Sequence, residues 1–246
     1  MYSAHPRLQE DFAPTDDGAN IEILRSRSLE TGVPVILIPG TLGTASMFAD
    51  RVEAIAPRPA IAFSHRGCGK SSSPLEGHYD FASRCLDIKA VAEFYKLPRY
   101  FLYGFSRGVA MAVQHALLFP EQVLGLVLDD AEPIYPKLDK AWLDRVIAAQ
   151  FLWANPIALE LIQKESVEIN FYDKLASIKV PTLIFRGERE GSLLPRLSAE
   201  RMKKALPDAK LLHLPHSGHG ASPEDFPDFR DAMETFFNKI DTLETY

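Results

Sequence analysis

The chain has 246 residues, 46% of them hydrophobic and 24% charged, with a net charge of -6, which excludes a disordered chain and fits one large α/β domain. The mild acidity and the lack of a Lys/Arg run exclude a phosphate-tracking surface, so no nucleic-acid partner is expected. Two cysteines, Cys68 and Cys85, make no disulfide framework, and no run approaches 18 apolar residues, so no membrane span is expected.

The N-terminal ten residues carry charges and a proline rather than a signal-peptide core, and a cytoplasmic location is the expectation. Asp16-Asp17-Gly18-Ala19-Asn20 is a turn signal leading into the strand-like Ile21–Leu24, which predicts a hairpin. Val33–Ile38 is a short, nearly continuous apolar run that ends at Pro39-Gly40, as strands buried on both faces do. A helix is predicted over Met47–Ala56 and a strand over Ala60–Phe63. Then follow a helix over Phe81–Tyr95, a strand over Tyr100–Tyr103, a helix over Val109–Phe119 and a strand over Val123–Leu128.

The alternation breaks between Ala131 and Val180. That stretch holds amphipathic helix candidates near 139–151 and 156–171 and no clear strand, so it reads as an insertion on top of the sheet. Alternation resumes with a strand over Pro181–Phe185, a helix near Arg196–Leu206, a strand over Lys210–Leu212, and a helix from about Pro223 to Lys239. Alternating strands and helices predict a mostly parallel sheet covered on both faces. Residues 1–130 and 180–246 would form the core, and 131–179 a small helical cap inserted after the sixth strand.

Gly104-Phe105-Ser106-Arg107-Gly108 matches G-x-S-x-G, and it lies where a buried strand gives way to a helix. That setting lifts a serine hydroxyl above the sheet on a tight bend, with the helix N-terminus behind it. A serine hydroxyl is a weak nucleophile at neutral pH and needs a base, and an imidazole suits that task. His219 follows the last predicted strand on a glycine-rich loop and is the expected base. His213, His216 and His219 are spaced by three, but a strand would not turn their rings onto one ion, so no metal site is expected. Gly69-Lys70-Ser71 lacks the earlier glycine of a phosphate loop, because position 64 is serine, and no cofactor is expected.

With these motifs the chain resembles the α/β-hydrolase superfamily over about residues 20 to 240. Ile38-Pro39-Gly40-Thr41 resembles its oxyanion loop, Arg66-Gly67-Cys68-Gly69-Lys70-Ser71 its R-G-x-G-x-S loop, and Ser217-Gly218-His219 its catalytic-histidine loop. The resemblance implies an oxyanion hole from the backbone N–H groups of Thr41 and Arg107. It also implies an acid partner for His219. Relatives carry an aspartate in a Gly-Glu-x-Asp stretch, where this chain reads Gly187-Glu188-Arg189-Glu190, making Glu190 the first candidate. Asp130, after the strand 123–128, is the alternative.

The resemblance implies a cap over Ser106, and its large apolar residues would line the pocket. Trp142, Val146 and Trp153 from the cap, with Met47 and Phe48 from the region after the oxyanion loop, are the expected lining. The implied function is hydrolysis of a small apolar carboxylic ester or lactone through an acyl-enzyme. Alternatives on the same residues are a C–C bond hydrolase, a peptidase like the proline iminopeptidases, or a ligand sensor with little turnover. A plain ion pair of Arg107 with Asp130 or Glu132 is one expectation for that side chain; contact with an acidic or carbonyl-bearing substrate is the other.

Overall fold

The computed structural model describes residues 8–244. The expected hairpin opens the chain as β1 (Leu8–Pro14) and β2 (Asn20–Ser26), antiparallel and joined through the predicted turn. Next come β3 (Val35–Ile38), a single turn of 3-10 helix (Ala45–Phe48) running into α1 (Ala49–Ala54), and β4 (Ala60–Phe63). Then follow α2 (Phe81–Phe94), β5 (Tyr100–Phe105), α3 (Gly108–Leu118) and β6 (Val123–Asp129). Every residue of β3, β4 and β6 is buried, which is why these segments read as continuous apolar runs.

The segment 131–179 carries β7 (Ile134–Tyr135), α4 (Lys140–Ala148), α5 (Pro156–Glu165), β8 (Ile169–Asn170) and a 3-10 helix (Tyr172–Ser177). No strand is expected there from the sequence, yet β7 and β8 form a small antiparallel pair that closes the base of this segment. Two-residue strands are too short to show a period, so nothing in the sequence marks them. Asp139 and Asn155 cap the two helices through their side chains, and Pro156 occupies the first turn of α5.

The chain closes with β9 (Thr182–Gly187), α6 (Arg196–Ala205), β10 (Ala209–Leu214) and α7 (Phe226–Glu244), with Pro227 in the first turn of α7. One eight-stranded sheet results, in the order β1-β2-β4-β3-β5-β6-β9-β10. From β4 to β10 all neighbours are parallel; β2 is antiparallel to both β1 and β4. Apolar clusters cover both faces. One is built on Ile36, Ile38, Leu102 and Val109, the other on Leu37, Tyr103, Phe185 and Phe229.

β3 and β5 are neighbours in register, with Ile38 opposite Gly104. This places the loop after β3 against the start of α3. A Cβ on Gly108 would stand 2.4 Å from the Ile38 carbonyl oxygen and 2.7 Å from that of Pro39. One on Gly104 would stand 2.6 Å from the Gly108 oxygen. Backbone atoms cannot step aside as a side-chain tip can, so glycine is required at both positions.

Two buried histidines tie the core to pH. His65 Nε2 lies 3.0 Å from the Pro39 carbonyl, and His115 Nε2 lies 2.6 Å from the Tyr100 hydroxyl. Burial pushes His115 down to about 4 and His65 well below the ordinary histidine value. The unfolded chain protonates both rings near pH ~6.5, while the folded chain holds them neutral. Their contribution is therefore complete above that pH and is lost as pH falls through the folded values. We expect urea unfolding of the wild type to weaken between pH 6.5 and 4, by about 3 kcal/mol for His115 alone, with a flatter profile in His115→Gln. We also expect Gly108→Ala to lower unfolding free energy by at least about 2 kcal/mol in the same assay.

Candidate active site

Ser106 stands between β5 and α3 with φ +55°, in the left-handed region. A non-glycine residue there costs of order 1–3 kcal/mol and persists only where its surroundings impose it. The two glycine contacts impose it here, together with a hydrogen bond from Ser106 N to the Asp129 carbonyl at 2.9 Å. No side chain caps α3 among the described residues; Val109 N donates to the Ser106 carbonyl at 3.0 Å, and the helix N-terminus stands behind the serine.

His219 lies on the loop after β10, and its Nδ1 is 2.9 Å from Asp130 Oδ2. Asp130 follows β6 directly, also with a left-handed φ of +53° that aspartate tolerates better than most residues. Its carboxylate is buried and gathers further donors: Gly187 N and Ser192 Oγ on Oδ1, at 3.1 and 2.6 Å, and Leu193 N on Oδ2 at 3.1 Å. A carboxylate so fixed holds the imidazole in one orientation and leaves Nε2 for chemistry. The His219 ring stacks on Phe105, with centroids 4.6 Å apart. Asp225 braces the loop by accepting from His216 N and Ser217 Oγ.

The expected contact of Glu190 with His219 is not formed. Glu190 is exposed, and its carboxylate has no hydrogen bond or ion pair among the described residues. It is the backbone of this stretch that meets the histidine loop. A Cβ on Gly187 would stand 2.1 Å from the Gly218 carbonyl oxygen, and one on Gly218 2.5 Å from that of Glu190.

Ser106 Oγ makes no hydrogen bond to His219 or any other described residue and lies instead beside Gly40. Such bonds often close only around substrate, and rotation about one side-chain torsion moves the hydroxyl. The backbone N–H groups of Thr41 and Arg107 have no acceptor among the described residues. Arg84, buried in α2, donates to the Thr41 carbonyl at 2.5 Å and to the Tyr135 hydroxyl at 2.7 Å, which pins the Thr41 loop. Arg107 pairs with neither Asp130 nor Glu132. Among the described residues its side chain makes one hydrogen bond, to Thr41 Oγ1 at 3.4 Å, while Glu132 accepts from the Tyr172 hydroxyl.

A cavity of about 220 Å³ opens beside Ser106. Met47, Phe48 and Trp153 line it as expected, joined by Phe105, Phe151 and Arg51. Trp142 and Val146 do not line it. They pack with Cys68, Ala154 and Leu159 in an apolar cluster, because the buried stripe of α4 faces the loop 66–71. That loop holds the segment above it through Gly69 N to the Trp153 carbonyl and Asn155 N to that of Gly67. Arg66 anchors the loop on Asp87 and Asp17, and burial pushes the Cys68 thiol up to about 12. Of the three spaced histidines, His213 pairs with Glu188, and no cluster of metal-ligating side chains occurs among the described residues.

Beneath Phe105 lies a buried polar chain. Tyr103 OH donates to Asp129, and Arg51 Nε donates to Tyr103 OH at 3.1 Å. Burial pushes Asp129 up to about 6 against the pull of Arg51 and Tyr103. Neither Asp129 nor Arg51 stands out in the sequence, since each sits in an ordinary strand or helix pattern.

Comparison with known proteins adds to this geometry. YisY of Bacillus subtilis (strain 168), named an AB hydrolase superfamily protein, is 26% identical over 84% of this chain and 92% of its own. A protein of Variovorax paradoxus (strain S110) named "Putative carbamate hydrolase RutD" is 25% identical over 85% of this chain and 93% of its own. Among solved structures, an esterase (EaEST) from Exiguobacterium antarcticum superimposes with a TM-score of 0.77 at 22% identity, covering 93% of this chain and 99% of that one. The family model described as alpha/beta hydrolase fold matches residues 33–161, more than half of the sequence. The chain belongs to the alpha/beta hydrolase fold family.

Proposed function

We propose that the protein is a serine hydrolase of a small carboxylic ester or lactone, with Ser106 as nucleophile, His219 as general base and Asp130 as the acid partner. The observation that carries this reading is the left-handed Ser106 at a strand–helix junction, with two free backbone N–H groups nearby and an imidazole fixed by a buried carboxylate.

Ser106 Oγ attacks the carbonyl carbon while His219 Nε2 takes its proton. The carbonyl oxygen gains charge and is held by the N–H groups of Thr41 and Arg107 at the open end of α3. Collapse breaks the bond to the alcohol oxygen, which leaves with the proton from His219, and the acyl group remains on Ser106. Water, deprotonated by His219, attacks that acyl carbon; collapse breaks the bond to Ser106 Oγ, which takes the proton back from His219, and the acid is released. Asp130 stays ionised throughout and stabilises the imidazolium.

The cavity volume favours a small substrate, and the segment 131–179 serves as its cap, with Phe151 and Trp153 as roof. Its lining has no carboxylate to meet an N-terminal amine, which counts against an iminopeptidase. Asp130 is preferred to Glu190 as the acid because only its carboxylate touches His219.

Turnover of short p-nitrophenyl esters tests the reading. Ser106→Ala should lower kcat/KM by about three orders of magnitude or more and abolish labelling by a fluorophosphonate. Turnover that survives Ser106→Ala would sink the reading. In the same assay Asp130→Asn should lower kcat on the order of 10³–10⁴-fold, while Glu190→Gln stays within about twofold of wild type. The reverse pattern would return the acid role to Glu190.

A further inference from the structure

Arg51 is a half-buried cation in the cavity wall that also holds Ser106, and it has no carboxylate partner within 4 Å among the described residues. The buried Arg66 sits on Asp87 and Asp17, and the buried Arg84 spends its Nη donors on the Thr41 carbonyl and the Tyr135 hydroxyl. Withdrawing a guanidinium from water without a paired anion is unfavourable. Here the rings of Phe48, Phe105 and Phe229 surround the group, at 5.5, 5.4 and 5.7 Å from its carbon to the ring centroids. Burial disfavours the cation, yet Tyr103 and Asp129 outweigh it and hold the pKa above the ordinary arginine value. The side chain therefore stays charged inside an apolar chamber.

Only Nε is used by the protein, in its bond to Tyr103 OH. Nη1 and Nη2 donate to no acceptor among the described residues. Nη2 lies next to the loop of the proposed base, 3.4 Å from where a Cβ on Gly220 would stand. A merely structural counter-ion for Asp129 would be expected to touch it; instead Tyr103 stands between them, and Asp129 Oδ1 has no partner. Most of the wall is apolar, through Met47, Phe48, Phe105, Phe151 and Trp153, and no acid lines the cavity among the described residues. A guanidinium with two free N–H edges matches a carboxylate in a planar, two-pronged fashion.

We propose that the substrate carries a carboxylate at the end of a short apolar chain, and that Arg51 holds it through Nη1 and Nη2 while Ser106 attacks the ester or lactone carbonyl of the same molecule. This rests on the hydrolase reading and names its substrate class. Arg107, also without a carboxylate partner, adds positive potential on another side of the serine.

Monoethyl adipate and ethyl hexanoate share an ethyl ester and a four-methylene chain and differ in a terminal carboxylate against a methyl. Their hydrolysis is followed by pH-stat at pH 7.5 in wild type, Arg51→Met, Arg51→Lys and Arg107→Met. The wild type should favour the anionic ester in kcat/KM by about tenfold or more. Arg51→Met should bring that ratio to about one, through KM rather than kcat, and Arg107→Met should leave it above one. Arg51→Lys keeps the charge but loses the fork, and should retain only part of the preference. Should Arg51→Met fail to fold, as read by circular dichroism, the lysine variant decides, and an unchanged ratio overturns the proposal. A wild type that prefers the neutral ester, or a preference that vanishes in Arg107→Met while surviving in Arg51→Met, overturns it as well. Absence of turnover of both esters by the wild type would defeat the hydrolase reading and this proposal with it, whereas turnover without preference defeats the proposal alone.

Discussion

The close passage of the Ile38-Pro39 backbone over the first residue of α3 is the constraint on which the rest depends. The gap between these main chains admits a hydrogen at position 108 and nothing larger. It brings Gly40 and Thr41 beside Ser106 and forces the chain from β5 into α3 within two residues. The left-handed serine rests on that approach together with the Gly104 contact and the hydrogen bond from Ser106 N to the Asp129 carbonyl. Van der Waals exclusion thus sets the site geometry before any charge contributes.

Charge then differentiates two neighbouring acids. Asp129 and Asp130 are adjacent in sequence, yet Asp130 collects donors from three segments while Asp129 is left with one tyrosine hydroxyl and an unpartnered oxygen. Burial raises Asp129 to about 6, a value above that of the unfolded chain. Its stabilising contribution is therefore present below the unfolded value and is lost as pH rises through about 6, opposite in sense to the buried histidines. Asp129 is the last residue of β6, whereas Asp130 lies beyond the strand with a left-handed backbone, so the chain turns between them and the two carboxylates enter different surroundings.

Most of the architecture was legible because fully buried parallel strands and amphipathic helices write different periods into the sequence. The serine bend was legible for a related reason: two glycines at a strand–helix boundary state a steric requirement directly. The acid was harder to place. β6 and β9 are paired neighbours, with Asp129 opposite Phe185, so their loops leave the sheet side by side and an acid on either has a path to the same imidazole. Sequence alone does not say which loop offers its backbone and which its carboxylate. The lining of the cavity was partly hidden in the same way. Trp142 and Val146 lie on the apolar stripe of α4, but the stripe reveals that they pack inward and not what they pack against. Arg51 gave no signal at all, since its role depends on rings from the 3-10 turn, β5 and α7, which meet only in three dimensions.

Trp153 donates its indole N–H to the carbonyl of Leu42 at 2.9 Å. Leu42 directly follows Thr41, so the aromatic roof of the chamber and the strip of backbone beside the serine share a mechanical link. A bulky guest that lifts the indole also pulls on the peptide next to Thr41. Under the proposed hydrolase reading, crowding in this chamber would reach the donors that face the developing negative charge, and size discrimination would be expressed in how fast a molecule reacts as well as in how tightly it is held.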